Sequence, residues 1–592
     1  MKKSVIKSIV IPLLLISTAG VLAQEPDRIQ QHVKHLASEA LEGRRTGTKG
    51  ATEAARYIAA EFSKLGLKPM TGDARRNGSE SRYLQEFPYV AGVKLGKENT
   101  FTFGNEKLEV DVEWLPLGFS SSAKVTGKLV FVGHGITASE LNHNDYANAK
   151  AAGNIAIALQ GTPDGSNPHG RFARFEGVRW KAVAARNAGA KALVVIAREP
   201  NFKDDRLTRL VYDNTGGDAG LPVIVLSRAA ADRLLAAAGT SLSQIEQSAP
   251  DGKALSGPVN LWTDVVRSEV PAYNVIGLLE GSDPVLKKEY VVIGAHYDHL
   301  GRGGDGSGSL APRSGEIHYG ADDNASGTAG VLELARVFSA QKPRPKRTII
   351  FMAFGGEEEG LLGSNYYVNH PLVPLARTVA MINMDMIGRM NNRRLVVGGV
   401  GTAREWREII AADTEKLFQL TLNEDGFGPS DHSSFYLKQI PVLFFWTGTH
   451  NDYHKPSDTF EKINYEDEAG ILRLVARIVN QMDVADKRLT YTTAKTDPAP
   501  RVGGFRVYLG TIPNYADSND GLLLDGVRDD SPAAKAGLKA GDRVVKIGKF
   551  EIKNVYDYTA ALGELKAGEE YVIEVVRGTE RVSLKLIPEA RK

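Results

Sequence analysis

The stretch FMAFGGEEEGLLGS, residues 351–364, places an apolar run directly before three consecutive glutamates. An apolar run without polar interruptions is typical of a strand that is buried on both faces of a parallel sheet. Adjacent carboxylates repel one another, so three of them at the end of a buried strand call for a nearby positive charge. The stretch therefore predicts a strand that delivers acidic side chains to one edge of a buried sheet.

A regular alternation of strand and helix patterns surrounds this stretch, from about residue 270 to residue 480. The strand pattern EYVVIGAHYDHLG, for example, precedes the amphipathic helix pattern ASGTAGVLELARVFSA. Such alternation predicts an α/β fold class, with a doubly wound, mostly parallel sheet that helices cover on both faces. Sheets of this kind bind their ligands at the carboxyl ends of the strands.

Histidine and carboxylate side chains recur at those strand ends. The candidates are His296, Asp298, Asp322, Asp323, Glu357, Glu358, Glu359, Asp385, His450, His454 and Asp458. So many like charges at one sheet edge require a cation. Mixed histidine and carboxylate ligands suit Zn²⁺, or alternatively Mn²⁺ or Co²⁺, better than Ca²⁺ or Mg²⁺. About five ligands exceed the needs of one tetrahedral zinc and suit two metals that share a bridging carboxylate.

The composition removes several other classes of function. The chain has 592 residues with 73 Lys and Arg against 71 Asp and Glu, so its charge gives no case for nucleic acid or anionic lipid as a partner. It contains no cysteine, which removes disulfides, thiol nucleophiles and thiolate metal ligands. Neither HExxH nor GxSxG occurs, so two common hydrolase signatures are missing. The glycine-rich residues 301–320 lack the GK[ST] of a phosphate loop and are interpreted as a loop beside the site.

The first 23 residues have the three parts of a signal peptide. Lysines at positions 2, 3 and 7 precede the apolar run Ile9–Ile16, and Val21-Leu22-Ala23 fits the small-residue cleavage rule. No later segment has the ~20 apolar residues of a membrane helix. We therefore expect cleavage after Ala23 and a mature protein without a membrane span, exported to the periplasm or the cell exterior.

Eight short motifs follow one another along the chain. They are LEGRRTGTKG (41–50), YNVIG (273–277), GAHYDHLG (294–301), GADDNASG (320–327), GEEEGLLGS (356–364), NMDMIG (383–388), SDHSSF (430–435) and YHKPSDT (453–459). Together and in this order, they resemble the motifs of the di-zinc aminopeptidase family. That family includes secreted bacterial leucyl aminopeptidases, and glutamate carboxypeptidase II and transferrin receptor are its relatives.

Carried over position by position, the resemblance implies a role for each candidate of the site. The metal ligands would be His296 and Asp385 for one ion, Glu358 and His454 for the other, and Asp323 as a bridge between both. Two further residues would act beside them, Glu357 as general base and Asp298 as acceptor of the imidazole N–H of His296. Glu359 would occupy a variable position and is interpreted as a helix-start charge. The resemblance also implies a cis peptide bond after Asp323.

The activity implied by the resemblance is that of a secreted, metal-dependent aminopeptidase with two Zn²⁺ per chain. A bridging, metal-bound water would attack the first peptide bond of a peptide with a free N-terminus, and Glu357 would accept the proton of that water. Aromatic residues near the motifs are candidates for an apolar first pocket. They are Phe427, Phe444, Phe445, Trp446 and Tyr453.

Three alternatives stay open at this point. A carboxypeptidase of the glutamate carboxypeptidase type would need an arginine cluster, for which Arg389, Arg393 and Arg394 are the nearby candidates. A glutaminyl-cyclase-like enzyme has a single metal and does not need all five ligands. A non-catalytic binding protein of the transferrin-receptor type does not need an intact ligand set. The complete set favours the aminopeptidase.

Accessory segments surround the predicted catalytic region, residues 266–484. Residues 24–112 would form the N-terminal part of the peptidase domain, residues 113–265 resemble an inserted protease-associated domain, and residues 485–500 are typical of a linker. Residues 501–592 resemble a PDZ domain, in which RVYLG would be the carboxylate-binding loop. The expected partners are peptide substrates with a free N-terminus and a C-terminal peptide ligand of the PDZ domain.

Overall fold

The computed structural model describes residues 25–590 apart from several short segments. Those segments are residues 72–79, 166–170, 213–216, 251–253, 305–306, 312–314, 414, 486, 495–506, 514–520, 528–530, 540, 553–557, 559–560 and 563–564. The predicted signal peptide, the end of the predicted linker and the first residue of the RVYLG motif therefore lie outside the described residues.

The N-terminal part packs two helices against the core of the main domain. Its elements are α1 (Pro26–Leu36), α2 (Lys49–Lys64), β1 (Lys68–Pro69) and β2 (Leu84–Leu95). α1 buries Ile29, Val33 and Leu36, which helical spacing places on one face. α2 begins after Thr48, whose hydroxyl accepts a backbone N–H of the first turn and so caps the helix.

An inserted domain follows β2 and has a sheet of its own. Its strands are β3 (Thr100–Phe103), β4 (Glu106–Leu108), β5 (Trp114–Pro116), β6 (Ala123–Phe131), β7 (Thr137–Ala138), β8 (His143–Asn144), β9 (Ile155–Leu159), β10 (Ala192–Ile196), β11 (Val223–Leu226) and β12 (Ala254–Thr263), and its helices are α3 (Val178–Asn187), α4 (Arg228–Ala237) and α5 (Leu242–Glu246). Eight strands form one sheet in the order β4-β3-β12-β6-β9-β10-β11-β5. Apolar clusters on both faces of this sheet confirm the predicted β-rich α/β insert.

The inserted sheet begins earlier in the chain than the predicted boundary at residue 113. β3 pairs with both β12 and β4, so residues 100–108 belong to this sheet. Phe101 packs edge-on against Trp114 in the core of the inserted domain. Strands of four and three residues carry too little alternation to be visible in the sequence, which explains the difference.

The main domain contains a nine-stranded sheet. Its further strands are β13 (Val265–Leu279), β14 (Tyr290–His296), β15 (Thr348–Phe354), β16 (Thr378–Met384), β17 (Arg394–Gly398), β18 (Gln419–Leu422) and β19 (Val442–Trp446), and its further helices are α6 (Gly327–Ala340), α7 (Leu362–Asn369), α8 (Trp406–Ala411), α9 (His432–Tyr436) and α10 (Tyr465–Val484). The strand order is β1-β13-β15-β14-β16-β19-β17-β18, and β2 pairs with β13. A π-helical turn, Ala321–Ser326, precedes α6.

Helices cover both faces of this sheet. α1, α2, α6 and α10 pack on one face, and α7 and α9 pack on the other. The neighbouring strands β15, β14, β16 and β19 run parallel to one another. β13 runs antiparallel to β15, and β17 runs antiparallel to β19. The layers confirm the predicted α/β fold class, and the flanking antiparallel pairs make the sheet a mixed one. The carboxyl ends of the four parallel strands meet at one edge.

The end of the main domain includes part of the predicted linker. Tyr491 forms a β-bridge with Ala403, and the backbone N–H of Thr492 donates to the carbonyl of Thr402 over 2.9 Å. These contacts hold the chain on the main domain at residues 491–492. The preceding helix, α10, has 20 residues but carries charged side chains along its length. Among the described residues, no helix combines the length and the apolar composition needed to cross a membrane.

The C-terminal domain is a small β-rich unit with its own core. Its elements are β20 (Val507–Tyr508), β21 (Thr511–Pro513), β22 (Leu522–Val527), β23 (Arg543–Ile547), β24 (Phe550–Glu551), β25 (Tyr571–Arg577), β26 (Glu580–Leu586), β27 (Glu589–Ala590) and α11 (Pro532–Lys535). Its six-stranded sheet has the order β21-β22-β23-β25-β26, with β24 on β23. β21 lies at the edge of this sheet directly after Gly510.

Candidate metal centre

Four parallel strands bring the predicted ligands to one edge of the main sheet. His296 is the last residue of β14, and Asp385 follows β16 directly. The three glutamates follow β15 after two glycines, and His454 lies in the loop after β19. Because parallel neighbours end at the same edge, these side chains meet, as the sequence predicts.

The first group of donor atoms consists of one imidazole and two carboxylates. The Nε2 of His296 lies 3.2 Å from Oδ1 of Asp385 and 3.4 Å from Oδ1 of Asp323. Two atoms that are each bound ~2.0–2.1 Å from one tetrahedral zinc lie roughly 3.3 Å apart. All three residues are buried, and their donor atoms lie within 4.8 Å of one another. The spacing therefore fits one metal ion.

The second group uses the other oxygen of Asp323. Its Oδ2 lies 3.1 Å from Nε2 of His454, which in turn lies 3.2 Å from Oε2 of Glu358. These separations again match two ligands of one tetrahedral zinc. Asp323 therefore faces the first group with Oδ1 and the second with Oδ2, as a carboxylate that bridges two metals does.

His299, to which the sequence analysis gives no role, lies fully buried against Glu358. Its Nδ1 is 2.6 Å from Oε1 of Glu358 and 3.9 Å from Oδ2 of Asp323. The donor atoms of these three residues also lie within 4.8 Å of one another. A separation of 2.6 Å is a hydrogen-bond distance and is short for two ligands of one zinc. His299 therefore holds Oε1 of Glu358 and leaves Oε2 directed at His454.

Glu357 lies beside the first group without joining it. Its Oε2 is 3.8 Å from Nε2 of His296, and its side chain is 10% exposed. The backbone N–H of Glu357 donates to Oδ1 of Asp298 over 3.1 Å, which fixes the turn after β15. A carboxylate that is held next to metal ligands but is not one of them is placed as a general base needs to be.

Asp298 supports the site through contacts that differ from the predicted one. Its Oδ2 accepts a hydrogen bond from the Thr46 hydroxyl over 2.8 Å, and its Oδ1 accepts the Glu357 N–H. The Nδ1 of His296 lies 3.8 Å from this carboxylate but 3.3 Å from the backbone oxygen of Asp298. The sequence analysis predicts a hydrogen bond from His296 to the Asp298 carboxylate. In the structure, Nδ1 of His296 instead faces the backbone carbonyl of Asp298. The reason is that Thr46 and the Glu357 turn hold the carboxylate.

Arg44, from the N-terminal motif LEGRRTGTKG, ties two ligand loops together. Its guanidinium donates to the backbone oxygens of Tyr297 at 2.7 Å, Tyr319 at 2.8 Å and Gly320 at 2.9 Å, and also to that of Leu36. Tyr297 adjoins the loop of the first imidazole ligand, and Gly320 begins the turn of the bridging carboxylate. Burial lowers the pKa of Arg44 to about 10, so the side chain stays a cation beneath the carboxylates at neutral pH.

Asp322 has a supporting position and does not bridge the two groups. Its Oδ2 lies 3.1 Å from Nε2 of His450. The carboxylate of Asp458 accepts the backbone N–H groups of Asp322 at 2.9 Å and of Asp323 at 3.1 Å. These bonds hold the π-helical turn that carries the bridging residue. The Asp323–Asn324 peptide bond is cis, as the resemblance implies.

Glu359 is an ion-pair partner rather than a helix-start charge. The Nε of Arg45 lies 3.3 Å from its Oε1. α7 begins at Leu362, so Glu359 lies before the first turn of that helix. The predicted interaction with the helix dipole is therefore wrong, because a turn separates the third glutamate from the helix.

The two histidines of the site carry positive charge that offsets the negative charge of the neighbouring carboxylates. Burial opposes a charge on His296, but Asp385 and Glu357 outweigh burial and raise its pKa well above the usual value. Burial likewise opposes a charge on His454, and Glu358 raises its pKa well above the usual value. Burial would raise the pKa of Glu358, yet His454 brings it down to about 2. Without a metal, the protonated histidines therefore supply the positive charge beside the carboxylates, and a metal that binds has to displace these protons.

The residues fit zinc by chemistry as well as by spacing. Two histidines and three carboxylates with one bridge supply enough ligands for two zinc ions. The side chains of these five residues are at most 12% exposed. A cluster of carboxylates in so little water needs permanent positive charge close by.

The predicted aromatic residues divide between the core and the site. Phe445 is fully buried in the core of the main domain, so it is no pocket residue. Tyr453 stacks on the ligand His454, with ring centroids 3.9 Å apart. The others are partly buried or exposed: Phe427, Phe444 and Trp446. Tyr453 is therefore the candidate with a direct contact to the metal centre.

Comparison with protein families finds three matches along the chain. Residues 274–479 match peptidase family M28, residues 125–234 match the PA domain, and residues 509–587 match the PDZ domain. Each match lies inside the segment for which the sequence analysis predicts that domain, which confirms the three resemblances.

Several curated relatives and solved structures that resemble the chain are named as aminopeptidases. The chain is 29% identical to aminopeptidase YwaD of Bacillus subtilis over 296 residues, which are 48% of this chain and 56% of that protein. It is 28% identical to an aminopeptidase of Pseudomonas aeruginosa over 381 residues, 63% of this chain and 59% of that protein. The chain thus spans little more than half the length of these relatives. The solved aminopeptidase from Aneurinibacillus sp. strain AM-1 is 22% identical, with a TM-score of 0.44 over 80% of this chain and 97% of that chain.

Proposed function

Residues 274–479 belong to peptidase family M28, and on this basis we propose that the protein is a zinc-dependent aminopeptidase that removes the first residue of peptides. The observation that carries the proposal is the position of Asp323, with Oδ1 near His296 and Oδ2 near His454. Two donor groups that share one carboxylate suit two metal ions and the hydrolysis of an amide bond. The aminopeptidases named above support the same reaction.

The side chains divide the work of hydrolysis in this proposal. When bound, two zinc ions would supply an acidified water and stabilise the oxyanion that develops at the scissile carbonyl. Glu357 accepts the proton of the attacking water and returns it to the leaving amine. Asp298 fixes the backbone of Glu357, and His299 keeps one oxygen of Glu358 directed at His454.

Turnover of leucine p-nitroanilide tests this reaction, with N-acetyl-leucine p-nitroanilide as the matched control. We expect the zinc-loaded protein to hydrolyse the first compound and not the second, because the proposal requires a free N-terminus. Elemental analysis of the same preparation is expected to give about two zinc ions per chain. Equal hydrolysis of the acetylated compound, or full activity with one ion, would contradict the proposal.

The contacts of Arg389 favour the aminopeptidase over the carboxypeptidase alternative. Both Nη atoms of Arg389 lie 3.1 Å from Oδ2 of Asp452, so this guanidinium already forms an ion pair with a carboxylate of the protein. A carboxypeptidase would release the last residue of an N-acetylated peptide. The release of free C-terminal glutamate from N-acetyl-Ala-Glu would therefore support that alternative.

We also propose that the protein is exported and that its PDZ domain binds peptide C-termini. The first 23 residues support export, and the edge position of β21 offers a strand with which a peptide can pair. The mature protein should begin at Gln24 and be found outside the cytoplasm of cells that make the full chain. A cytoplasmic protein with an intact N-terminus would contradict export. Equal binding of free and amidated peptide C-termini would contradict the role of the carboxylate.

A further inference from the structure

A cleft runs between the main domain and the C-terminal domain, at the edge of the main sheet that carries the predicted ligands. Its volume is ≈ 1040 Å³. Its floor is formed by the loops that follow β16 and β19, and Leu523, Gly541 and Arg543 of the C-terminal domain line its opposite side. The floor loops are the same ones that carry the ligands Asp385 and His454. None of the five predicted ligands lines the cleft itself, so the two sites are linked through these shared loops.

The strand directions place the cleft at the same sheet edge as the metal ligands. β17 runs antiparallel to β19, with Val396 opposite Trp446, so β17 starts where β19 ends. β18 is parallel to β17 and starts beside it, with Gln419 opposite Arg394. Gln419, Arg394 and Trp446 all line the cleft. The cleft therefore lies at the same edge of the sheet as the predicted ligands, beside the first residues of β17 and β18.

Positive charge prevails among the side chains of this cleft. Four basic residues and one carboxylate line it: Arg389, Arg394, Lys462, Arg543 and Asp452. Asp452 is shared by two of the cations, since Nη1 of Arg389 is 3.1 Å from Oδ2 and Nζ of Lys462 is 2.7 Å from Oδ1. Within the described part of the chain, Arg394 takes part in no ion pair and its side chain is exposed. The lining therefore has positive charge in excess of its own carboxylate.

We propose that this cleft is a subsite for acidic residues of the peptide substrate, downstream of the bond that is cut. The proposal rests on the aminopeptidase function above and adds a substrate class to it. A peptide whose first residue lies at the metals must lead its remaining residues away, at ~3.3–3.6 Å per extended residue. Guanidinium groups bind carboxylates through paired hydrogen bonds, so Arg394 is suited to a glutamate side chain or to a peptide C-terminus.

Two peptides whose last two side chains are of opposite charge test the subsite in the wild-type protein. Leu-Ala-Glu-Glu and Leu-Ala-Lys-Lys present the same first bond to the metals. One exposed ion pair is worth up to roughly fivefold in binding. We therefore expect KM to be up to about fivefold lower for the acidic peptide at low ionic strength, with similar kcat, and the difference to shrink as salt is added.

Charge reversal on the sheet edge identifies the residue responsible. Arg394→Glu should remove or invert the KM preference, and Arg394→Gln should reduce it. Arg393→Glu is the matched control, because this neighbouring arginine lies outside the cleft lining. Its preference should equal that of the wild type.

Equal KM values for the two peptides in the wild type would overturn the subsite, as would the same effect from Arg393→Glu and Arg394→Glu. Failure of the wild type to hydrolyse leucine p-nitroanilide would instead overturn the aminopeptidase function itself. Thermal unfolding of each variant shows whether the fold is kept, and Arg394→Gln provides the answer if the reversed charge destabilises it.

Discussion

Thr46→Val removes one hydrogen bond from beneath the metal centre and keeps the shape of the side chain. The Thr46 hydroxyl donates to Oδ2 of Asp298 over 2.8 Å, and both residues are buried, at 4% and 0% exposure. Valine leaves that oxygen of Asp298 without its donor, while the other oxygen keeps the N–H of Glu357. The Asp298 carboxylate, which holds the backbone of the proposed general base Glu357, thus loses one of its two hydrogen bonds.

The energy of this one hydrogen bond gives the size of the expected loss in zinc affinity or kcat. A hydrogen bond to a charged group contributes about 1.5–3 kcal/mol. At about 1.4 kcal/mol per factor of ten, the loss corresponds to roughly 10- to 150-fold. Support of this kind behind metal ligands typically changes metal affinity or activity by about 10- to 100-fold. We therefore expect Thr46→Val to weaken zinc binding or to lower kcat by about tenfold or more.

Zinc affinity is measured by competition with a chromophoric chelator, beside kcat at saturating zinc and thermal unfolding of the metal-free protein. Thr46→Ser restores the hydroxyl and should recover most of the loss. Thr52→Val removes a threonine hydroxyl that donates within helix α2, to the backbone oxygen of Thr48, and serves as the control. Wild-type zinc affinity and kcat in Thr46→Val would refute the anchoring role of Thr46.

Three further predictions follow from the site. Glu357→Gln should lower kcat by about 10²–10⁴-fold with both zinc ions retained. Glu358→Gln should lose one zinc ion, and Glu359→Gln should change little. Zinc content measured beside turnover checks this, and an inactive Glu359→Gln with an active Glu357→Gln would reverse the assignment. His299→Leu should weaken one zinc site and spare the other, as a two-step zinc titration would show; equal weakening of both sites would contradict it. His296 and His454 have raised pKa values without metal and are protonated near pH 7, so zinc binding should release protons and weaken as the pH falls. Calorimetry in two buffers of different ionisation enthalpy measures the proton release, and its absence would contradict the prediction.

Four of the five predicted ligands could be brought together from the sequence because each lies at or after the end of a visible strand pattern. Parallel strands need apolar residues on both faces, so their ends are clear, as in the run before Glu357. The edge at which they meet follows from the topology alone. The choice of Asp323 over Asp322 as bridge, by contrast, came from the family resemblance. In the structure, Oδ1 of Asp323 lies near His296 and its Oδ2 near His454, whereas Asp322 contacts His450.

The supporting contacts could not be found in the same way. Thr46 and Asp298 are 252 residues apart in the chain, and no periodic pattern relates them. Arg44 likewise joins loops that begin 253 and 276 residues away. His299 lies within the motif GAHYDHLG, but its 2.6 Å contact with Glu358 joins two different strand ends and has no signature in the sequence. Local patterns predict where a strand ends, whereas such pairings follow from packing.

The inserted domain joins the main domain through a paired ribbon, and this has a consequence for how such chains change in evolution. β2 and β13 pair from Leu84 opposite Val275 to Leu95 opposite Val265, with one register shift between Ser268 and Glu269. The two crossing points of the chain are therefore direct neighbours, and a turn of two residues is enough to close an antiparallel pair of this kind. The accessory domain occupies the place of a hairpin loop. A chain with a short turn in its place would keep the pairing of β2 with β13.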